Sequence, residues 1–275
     1  MASSRQLRAL ITNDDGIDSP GLWALAAGAR DAGFDVVVAA PHIDASGVGA
    51  SVVSVREGNR TRVHPRDIAE LPGIPAFAVE AHPAWIVHAA ARGWLDPVPD
   101  VVLSGANLGS NVGRMVLHSG TVGAALTASL YGWRALAVSL DTDLVPLKRH
   151  PGADGNPPGR PHWEAVRHVL PEVLDLLLAG PDGTVLSLNV PDRPVAEIGA
   201  LREAGLAAFG AVQIHMEHRT GDDGESLHAS LAETQDPHAA DTDIALLAQG
   251  HPTLTALRSI AALSGLLDDL RMSPV

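Results

Sequence analysis

Short apolar runs alternate with stretches of helical periodicity from the start of the chain. Leu7–Thr12 and the Val-rich Asp35–Ala40 read as buried strands, with a helix over Leu22–Ala32 between them. Pro20 stands near the start of that helix and Gly33 just beyond its end, as helix boundaries prefer. Further strands are expected at Ala76–Val79, Asp100–Ser104, Ala135–Ser139 and Val185–Val190. Helices are expected at Pro83–Arg92, Val122–Tyr131 and Trp163–Leu178, the last strongly amphipathic. Strand–helix–strand alternation predicts an α/β fold, a mostly parallel sheet with helices on both faces. Runs such as Val36-Val37-Val38, apolar at successive positions, fit strands covered on both sides.

Two segments break the pattern. His150–Pro161 is rich in Pro and Gly and reads as a surface loop. Arg219–Asp243 is polar and acidic, and fits a long loop, a hairpin arm or a mobile flap. Apolar character returns over Ile244–Leu270, and neither an internal repeat nor a heptad pattern is present.

In an open parallel sheet, ligands bind outside the carboxyl ends of the strands. Three oxygen-rich segments follow predicted strands: Asn13-Asp14-Asp15-Gly16, then Pro41 to Gly47 with Asp44 and Ser46, and Ser104 to Asn111 with Asn107. Adjacent carboxylates in a partly dry cleft repel, so one takes a proton or a cation sits between them. A hard divalent ion such as Mg²⁺ or Mn²⁺ suits oxygen donors. The competing reading of the first segment is a polar turn closed by Asn and Asp side chains. Parallel strands would bring two Asp, a Ser hydroxyl and an Asn carbonyl to one edge as a partly open metal site. A fourth piece, His118-Ser119-Gly120-Thr121, leads into a predicted helix. Its first amides form an anion site, or else Ser119 is an ordinary cap.

Composition narrows the partners. The chain has 275 residues, 32 acidic and 19 basic, for a net charge of −13. Such a surface disfavours nucleic-acid polymers and leaves room for a small phosphorylated substrate only where a metal or oriented amides offset the charge. With 3% aromatic and 46% hydrophobic residues, the core must be built from Ala, Val, Leu and Ile. No Cys is present, which removes thiolate and disulfide chemistry. No run approaches the ~18 apolar residues of a membrane span. Met1–Arg8 lacks the apolar segment of a secretory signal, so a cytoplasmic location is expected.

The motifs resemble those of the SurE family, stationary-phase survival proteins that act as metal-dependent nucleoside monophosphate phosphatases. Ile11 to Gly21 is similar to that family's N-terminal signature. Ser104-Gly105-Ala106-Asn107, Gly109, Asn111, Gly113 and Ser119-Gly120-Thr121-Val122 are similar to its second signature. Asn189-Val190-Pro191 and Thr242-Asp243-Ile244 also resemble family segments, and the similarity runs over roughly residues 7 to 260. The resemblance implies one divalent metal ion per subunit, Mg²⁺ or Mn²⁺, on Asp14, Asp15, Ser46 and Asn107. It implies catalysis by Asp14 and Asp15, with Ser119, Gly120 and Thr121 on the phosphate and Asn111 close by. Either carboxylate would attack phosphorus or orient a water; the residues alone leave both open. The resemblance further implies a Rossmann-like three-layer core over 1–200. It also implies a C-terminal segment over 201–275 carrying an exchanged arm (about 210–245) and a returning helix, assembled as a homodimer or homotetramer.

Two places depart from the family. His42-Ile43-Asp44-Ala45 stands where relatives usually carry a basic stretch, and Ala81-His82-Pro83-Ala84-Trp85 where a Gly-Thr-Pro run is usual. Both bear on the substrate more than on the metal, and keep open a specialised phosphatase for another small phosphate ester or a non-catalytic ligand-binding relative. A nucleotide-cofactor enzyme would need a G-x-G-x-x-G turn after the first strand, where Asn13-Asp14-Asp15-Gly16 stands. Among other residues, His118 borders the phosphate segment as a candidate general acid, although a loop His is more often simply solvated. His215 and His218 would share a face only on a helix. Trp85 and Trp94 read as core or interface, and Asp268-Asp269 as a solvated face.

Overall fold

The computed structural model describes residues 5–54, 60–142, 160–208, 212–221, 224–233 and 239–260. The elements run β1 (Arg8–Thr12), α1 (Pro20–Asp31), β2 (Asp35–Pro41), β3 (Val63–Arg66), β4 (Ala76–Val79), α2 (Pro83–Ala91) and β5 (Val101–Leu108). A 3₁₀ turn (Gly113–His118) leads into α3 (Gly120–Ser129), β6 (Arg134–Asp141), α4 (Trp163–Ala179), β7 (Val185–Pro191) and β8 (Arg202–Glu203). The hairpin β9 (Val212–Gly221) and β10 (Gly224–Glu233) follows, then α5 (Asp243–Ala248) and β11 (Thr253–Leu257).

Nine strands form one sheet in the order β3-β4-β2-β1-β5-β6-β7-β11-β8. From β4 to β7 every pairing is parallel. The exceptions are β3, antiparallel to β4, and β11, antiparallel to β7. The chain winds outward from β1 through β2 to β4, then returns to the other side of β1 as β5. The crevice between the ends of β1 and β5 is therefore the topological switch point, where doubly wound sheets bind ligands.

Helices cover both faces. On one, α1 and α4 pack Leu22, Leu25, Leu170 and Leu177 over Ile11, Val38 and Leu103. The buried positions of α1 (Leu22, Leu25, Ala26, Ala29) recur at helical spacing, so one stripe faces the sheet. On the other face, α2 and α3 present Ile86, Val87, Val122 and a set of alanines including Ala90, Ala124, Ala125 and Ala128. Small side chains let these helices lie close, so a core poor in aromatics still fills. Trp85 and Trp94 pack partly buried against this second cluster, and Trp94 meets Phe77 edge-on with ring centroids 5.7 Å apart.

The α/β architecture expected from the alternation is observed, with three differences. The strand expected to end at Ser104 continues to Leu108, with an irregularity between Ser104 and Asn107. Ser104-Gly105-Ala106-Asn107 has the composition of a turn, yet pairing with β6 resumes at Asn107↔Ser139. Asn107 thus sits on a strand end rather than in a loop. Second, β3, β8 and β11 are not expected from the alternation; β3 and β8 are the two edge strands, short, with exposed or half-buried residues and no clear alternation, and β11 falls where only apolar character and a returning helix are expected. Third, the hairpin, one of three possibilities for the polar segment, begins before Arg219, at Val212. Residues 150–159 of the expected Pro/Gly loop and Asp268-Asp269 lie outside the described residues. No helix among the described residues is long and apolar enough to cross a membrane.

Candidate active site

Asn13 and Asp14, just past β1, are buried. The Asn13 amide closes the turn locally, donating to the Gly16 carbonyl (3.1 Å) and accepting from the Gly16 amide (3.1 Å). The polar-turn reading of this segment is thereby realised by Asn13, and the carboxylates are left for other work. Gly16 has φ +96°, a conformation that costs a side-chain-bearing residue. The neighbouring strand ends are then tied in. The Ala45 amide donates to the Asp14 carbonyl (2.7 Å), and the Leu108 amide donates to Asp15 Oδ2 (3.2 Å). Segments 14–15, 44–46 and 107–108 meet at the switch point, although 93 residues separate Asp15 from Leu108.

Within this cleft the Thr121 hydroxyl donates to Asp14 Oδ1 and lies 3.4 Å from Asn107 Oδ1. A hydroxyl has one proton, and the closer partner takes it. The Asn107 amide nitrogen is engaged with the Gly109 carbonyl (2.7 Å), so Oδ1 is the side of Asn107 turned to the carboxylates. Ser46 donates through both its amide (2.7 Å) and its hydroxyl (2.6 Å) to Asp44 Oδ1. Its oxygen lone pairs are not consumed by those bonds. Asp14 and Asn107 meet at the Thr121 hydroxyl, Asp15 stands beside Leu108, and Ser46 is exposed on the adjoining segment with Asp44 as its bonded partner; all four carry oxygen donors of the kind hard divalent cations take.

The electrostatics match. Burial raises the Asp14 carboxyl above the ordinary carboxylate range, partly countered by the Thr121 hydroxyl and amide, with Asp44 adding a further upward push. Asp15 is raised to about 7, first by burial, then by the charge of Asp14, and by Asp44 more weakly. Three carboxylates thus crowd a site in which no cationic side chain figures among these causes. Among the described residues no group of three His, Asp or Glu is placed to hold a metal ion, so neutral oxygens must complete any coordination shell.

The segment expected to hold phosphate is built as a helix start. Ser119 is the N-cap of α3, its hydroxyl accepting from the Val122 amide (3.1 Å). Gly120 leaves room for Asp14: a Cβ there would lie 2.7 Å from Asp14 Oδ2. Thr121 is fully buried, and the carboxylate it faces is Asp14. An anion at a helix start is favoured by the dipole and the unpaired amides, and here Asp14 occupies part of that position. Asn111 lies beside the cleft with its side chain donating to Ser139 Oγ (2.8 Å), while its backbone is held at both ends by Asn189 (2.8 and 3.0 Å). His118 is exposed, and its carbonyl accepts from the Gly49 amide (3.2 Å). His215 and His218 belong to a strand, not a helix, and the His218 ring is 3.4 Å from Glu225.

The residues this leaves unforeseen are Asp44, Ser139, Asn189 as a clamp, and Asp243. Asp44 carried a signal, since an acid replacing a usual base beside a metal loop changes the field there. The others act through contacts across dozens of residues, which spacing does not reveal.

Residues 9–211 match the model of the survival protein SurE family. A 5'-nucleotidase SurE of Solidesulfovibrio magneticus is 36% identical, the alignment covering 96% of this chain and all of that protein. A 5'/3'-nucleotidase SurE of Proteus mirabilis is 32% identical over 91% of this chain and 89% of its own length. The crystal structure of the SurE protein from Aquifex aeolicus superposes with a TM-score of 0.74 at 24% identity, covering 96% and 98% of the two chains. That likeness shows the same fold. With a family model spanning most of its length and relatives above 30% identity along it, this chain belongs to the SurE family.

Proposed function

We propose that this protein is a divalent-metal-dependent phosphomonoesterase that hydrolyses nucleoside monophosphates; the relatives reported above are named 5'-nucleotidase and 5'/3'-nucleotidase. The observation that carries the reading is the pair Asp14 and Asp15, both raised by burial, at the switch point beside Asn107 and the start of α3. Two carboxylates side by side, one buried and one half-buried, are relieved by a proton or by a compensating cation. Asp14, Asp15, Ser46 and Asn107 would hold it, one ion per subunit, Mg²⁺ or Mn²⁺. When bound, such an ion polarises a phosphoryl oxygen and offsets developing negative charge.

The chain's own groups supply the rest. Thr121 fixes the Asp14 carboxylate in one orientation by its hydroxyl. The Leu108 amide does the same for Asp15. The Ser119 hydroxyl and the Gly120 amide, which precedes any intrahelical partner, receive phosphoryl oxygens at the start of α3. Asn111, locked by Ser139 and Asn189, shapes the adjoining wall. Incorporation of labelled water oxygen into an Asp side chain during a single turnover distinguishes direct attack by Asp14 or Asp15 from orientation of a water.

A phosphate-release assay over nucleoside monophosphates and sugar phosphates, with Mg²⁺ or Mn²⁺ and with chelator, tests the reading. Turnover that vanishes on chelation and returns with metal is expected. A ligand-induced thermal shift with no turnover on any substrate would replace it with a binding role. The altered rim at 42–45 and 81–85 makes the sugar-phosphate arm the test for a different ester.

A pH dependence follows. Asp15 and Asp14 titrate higher in the folded chain than in the unfolded one, whose carboxylates ionise near 4. Protonation therefore favours the metal-free fold. That contribution is full below about pH 4 and lost as pH rises through about 7, where Asp15 ionises. A cation competes with the same protons, so its affinity moves the other way. The Tm of chelated protein is expected to fall between pH 5 and pH 8, while the increase in Tm on adding Mn²⁺ grows. A metal-induced shift that is the same at both pH values would contradict the assignment of the ligands.

The hairpin β9–β10 forms a two-stranded sheet apart from the nine-stranded one. We infer that it is the arm through which subunits join as a homodimer or homotetramer, with 1–200 as the catalytic core and 201–275 as the extension. Sedimentation of a chain lacking 212–233 tests this, a monomer being expected.

A further inference from the structure

Asp243 opens α5, 130 residues beyond Gly113, yet its carboxylate reaches back to it. It is 1% exposed. Oδ2 accepts from the Gly113 amide (2.7 Å), and Oδ1 accepts from the amides of Ala207 (3.0 Å) and Ile244 (2.9 Å). Among the described residues no cation pairs with it. A buried carboxylate is expensive unless its oxygens are hydrogen-bonded, and here three charge-assisted bonds from main-chain donors do that work.

The donors come from three places. Ile244 belongs to the same helix start, an ordinary local contact. Ala207 lies just before the hairpin and Asp243 just after it. Gly113 begins the 3₁₀ turn that ends at Ser119, the cap of α3. Further bonds tighten the same knot: the Arg114 amide to the Ala207 carbonyl (3.1 Å), the Asp243 amide to the Gly205 carbonyl (2.8 Å) and the Gly205 amide to the Asp241 carbonyl (3.0 Å). The base of the hairpin is thus bonded to the segment that leads into the phosphate-binding end of the site.

We propose that Asp243 is a positioning residue: by gripping the Gly113 amide it sets where the turn 113–118 delivers Ser119 and Gly120, and so how tightly phosphate is held. The inference rests on the phosphatase reading above. Its chemical specificity comes from the number of acceptors. Ionised Asp offers only acceptors, and all three donors are N–H groups. Asn has the same shape but turns one NH₂ toward an amide that also needs an acceptor. One of the long-range grips is then replaced by a donor–donor clash.

The test compares wild type with Asp243→Asn, using Mn²⁺ and a nucleoside monophosphate that the wild type turns over, with inorganic phosphate as competitive probe. The KM for the ester and the Ki of phosphate are expected to rise together by about tenfold, as loss of one hydrogen bond to a charged group implies. Half-saturation by Mn²⁺ should change less than KM and Ki, because Asp14, Asp15 and Asn107 are also anchored outside the turn, by the Ala45 amide, the Leu108 amide and the Gly109 carbonyl. Hydrogen exchange in the peptide 109–119 should quicken in the folded variant. A role confined to stability would lower the active fraction, and hence kcat, with KM and Ki unmoved. That result in a folded variant overturns the proposal. Should Asp243→Asn fail to fold, Asp243→Glu keeps the charge and acceptors while displacing them, and the same joint rise of KM and Ki is expected on a smaller scale; unchanged values there overturn it equally. A wild type with no turnover and no phosphate binding would instead sink the phosphatase reading itself.

Discussion

Asp14→Asn is expected to lower metal-dependent turnover by about a thousandfold, ~4 kcal/mol of barrier, while leaving the fold intact or slightly more stable at alkaline pH. The two effects have one origin. Asp14 is 4% exposed and lies beside Asp15, so its charge is a burden to the metal-free chain and an asset to the loaded one. The amide removes that charge, and Asn keeps an oxygen for the Thr121 hydroxyl. The Asp15 carboxyl then loses its second-largest upward push. The measurement is a paired one, kcat with saturating Mn²⁺ against Tm with chelator at pH 8. A variant with near-native turnover, or one that unfolds, would show that Asp14 is structural rather than a ligand.

Gly120→Ala is expected to cost about 1–3 kcal/mol of stability, the range for overpacking a filled core. Turnover should fall by about a hundredfold, as displacement of a positioned catalytic group does. Two effects oppose each other at this position. Alanine is the better helix former by about 1 kcal/mol, which favours the substitution at the first residue of α3. Against it, the new methyl would stand 2.7 Å from Asp14 Oδ2 and 2.8 Å from Asp14 Cβ. A terminal carboxylate oxygen in open solvent would swing aside, but Asp14 is buried and held by Thr121, and its Cβ is fixed by the backbone of the β1 turn. The clash wins. Loss of Mn²⁺-dependent thermal stabilisation in a folded Gly120→Ala chain would confirm that the cost falls on Asp14. Wild-type activity in that variant would mean that Asp14 can rotate without consequence.

Much of the fold was legible because it rests on local periodicity. β2 is apolar at successive positions because both its faces are covered, and α1 and α4 carry a buried stripe at helical spacing. The convergence of the candidate-site segments was legible for a different reason: parallel strands deliver their carboxyl ends to one edge, so Asp14 and Asn107 had to approach each other if the strands were placed correctly. Where reading failed, tertiary contacts outweighed composition. Ser104-Gly105-Ala106-Asn107 looks like a turn but remains in the sheet, since β6 offers it a partner through Ser139. The bond between the Thr121 hydroxyl and Asp14, across 107 residues, is likewise invisible to spacing. Asp243 looks like an ordinary acidic first-turn residue, and only the folded chain shows Gly113 at its other oxygen.

β11 returns antiparallel along β7, pairing Thr253–Leu257 with Asn189–Val185, and all seven residues of β7 are buried. A chain cut off near residue 200 would strip that cover away and present an apolar strand with its main-chain donors and acceptors unpaired, a template for strand addition between molecules. The final segment therefore doubles as a seal against self-association, and shortened versions of this protein should precipitate before they lose their helices.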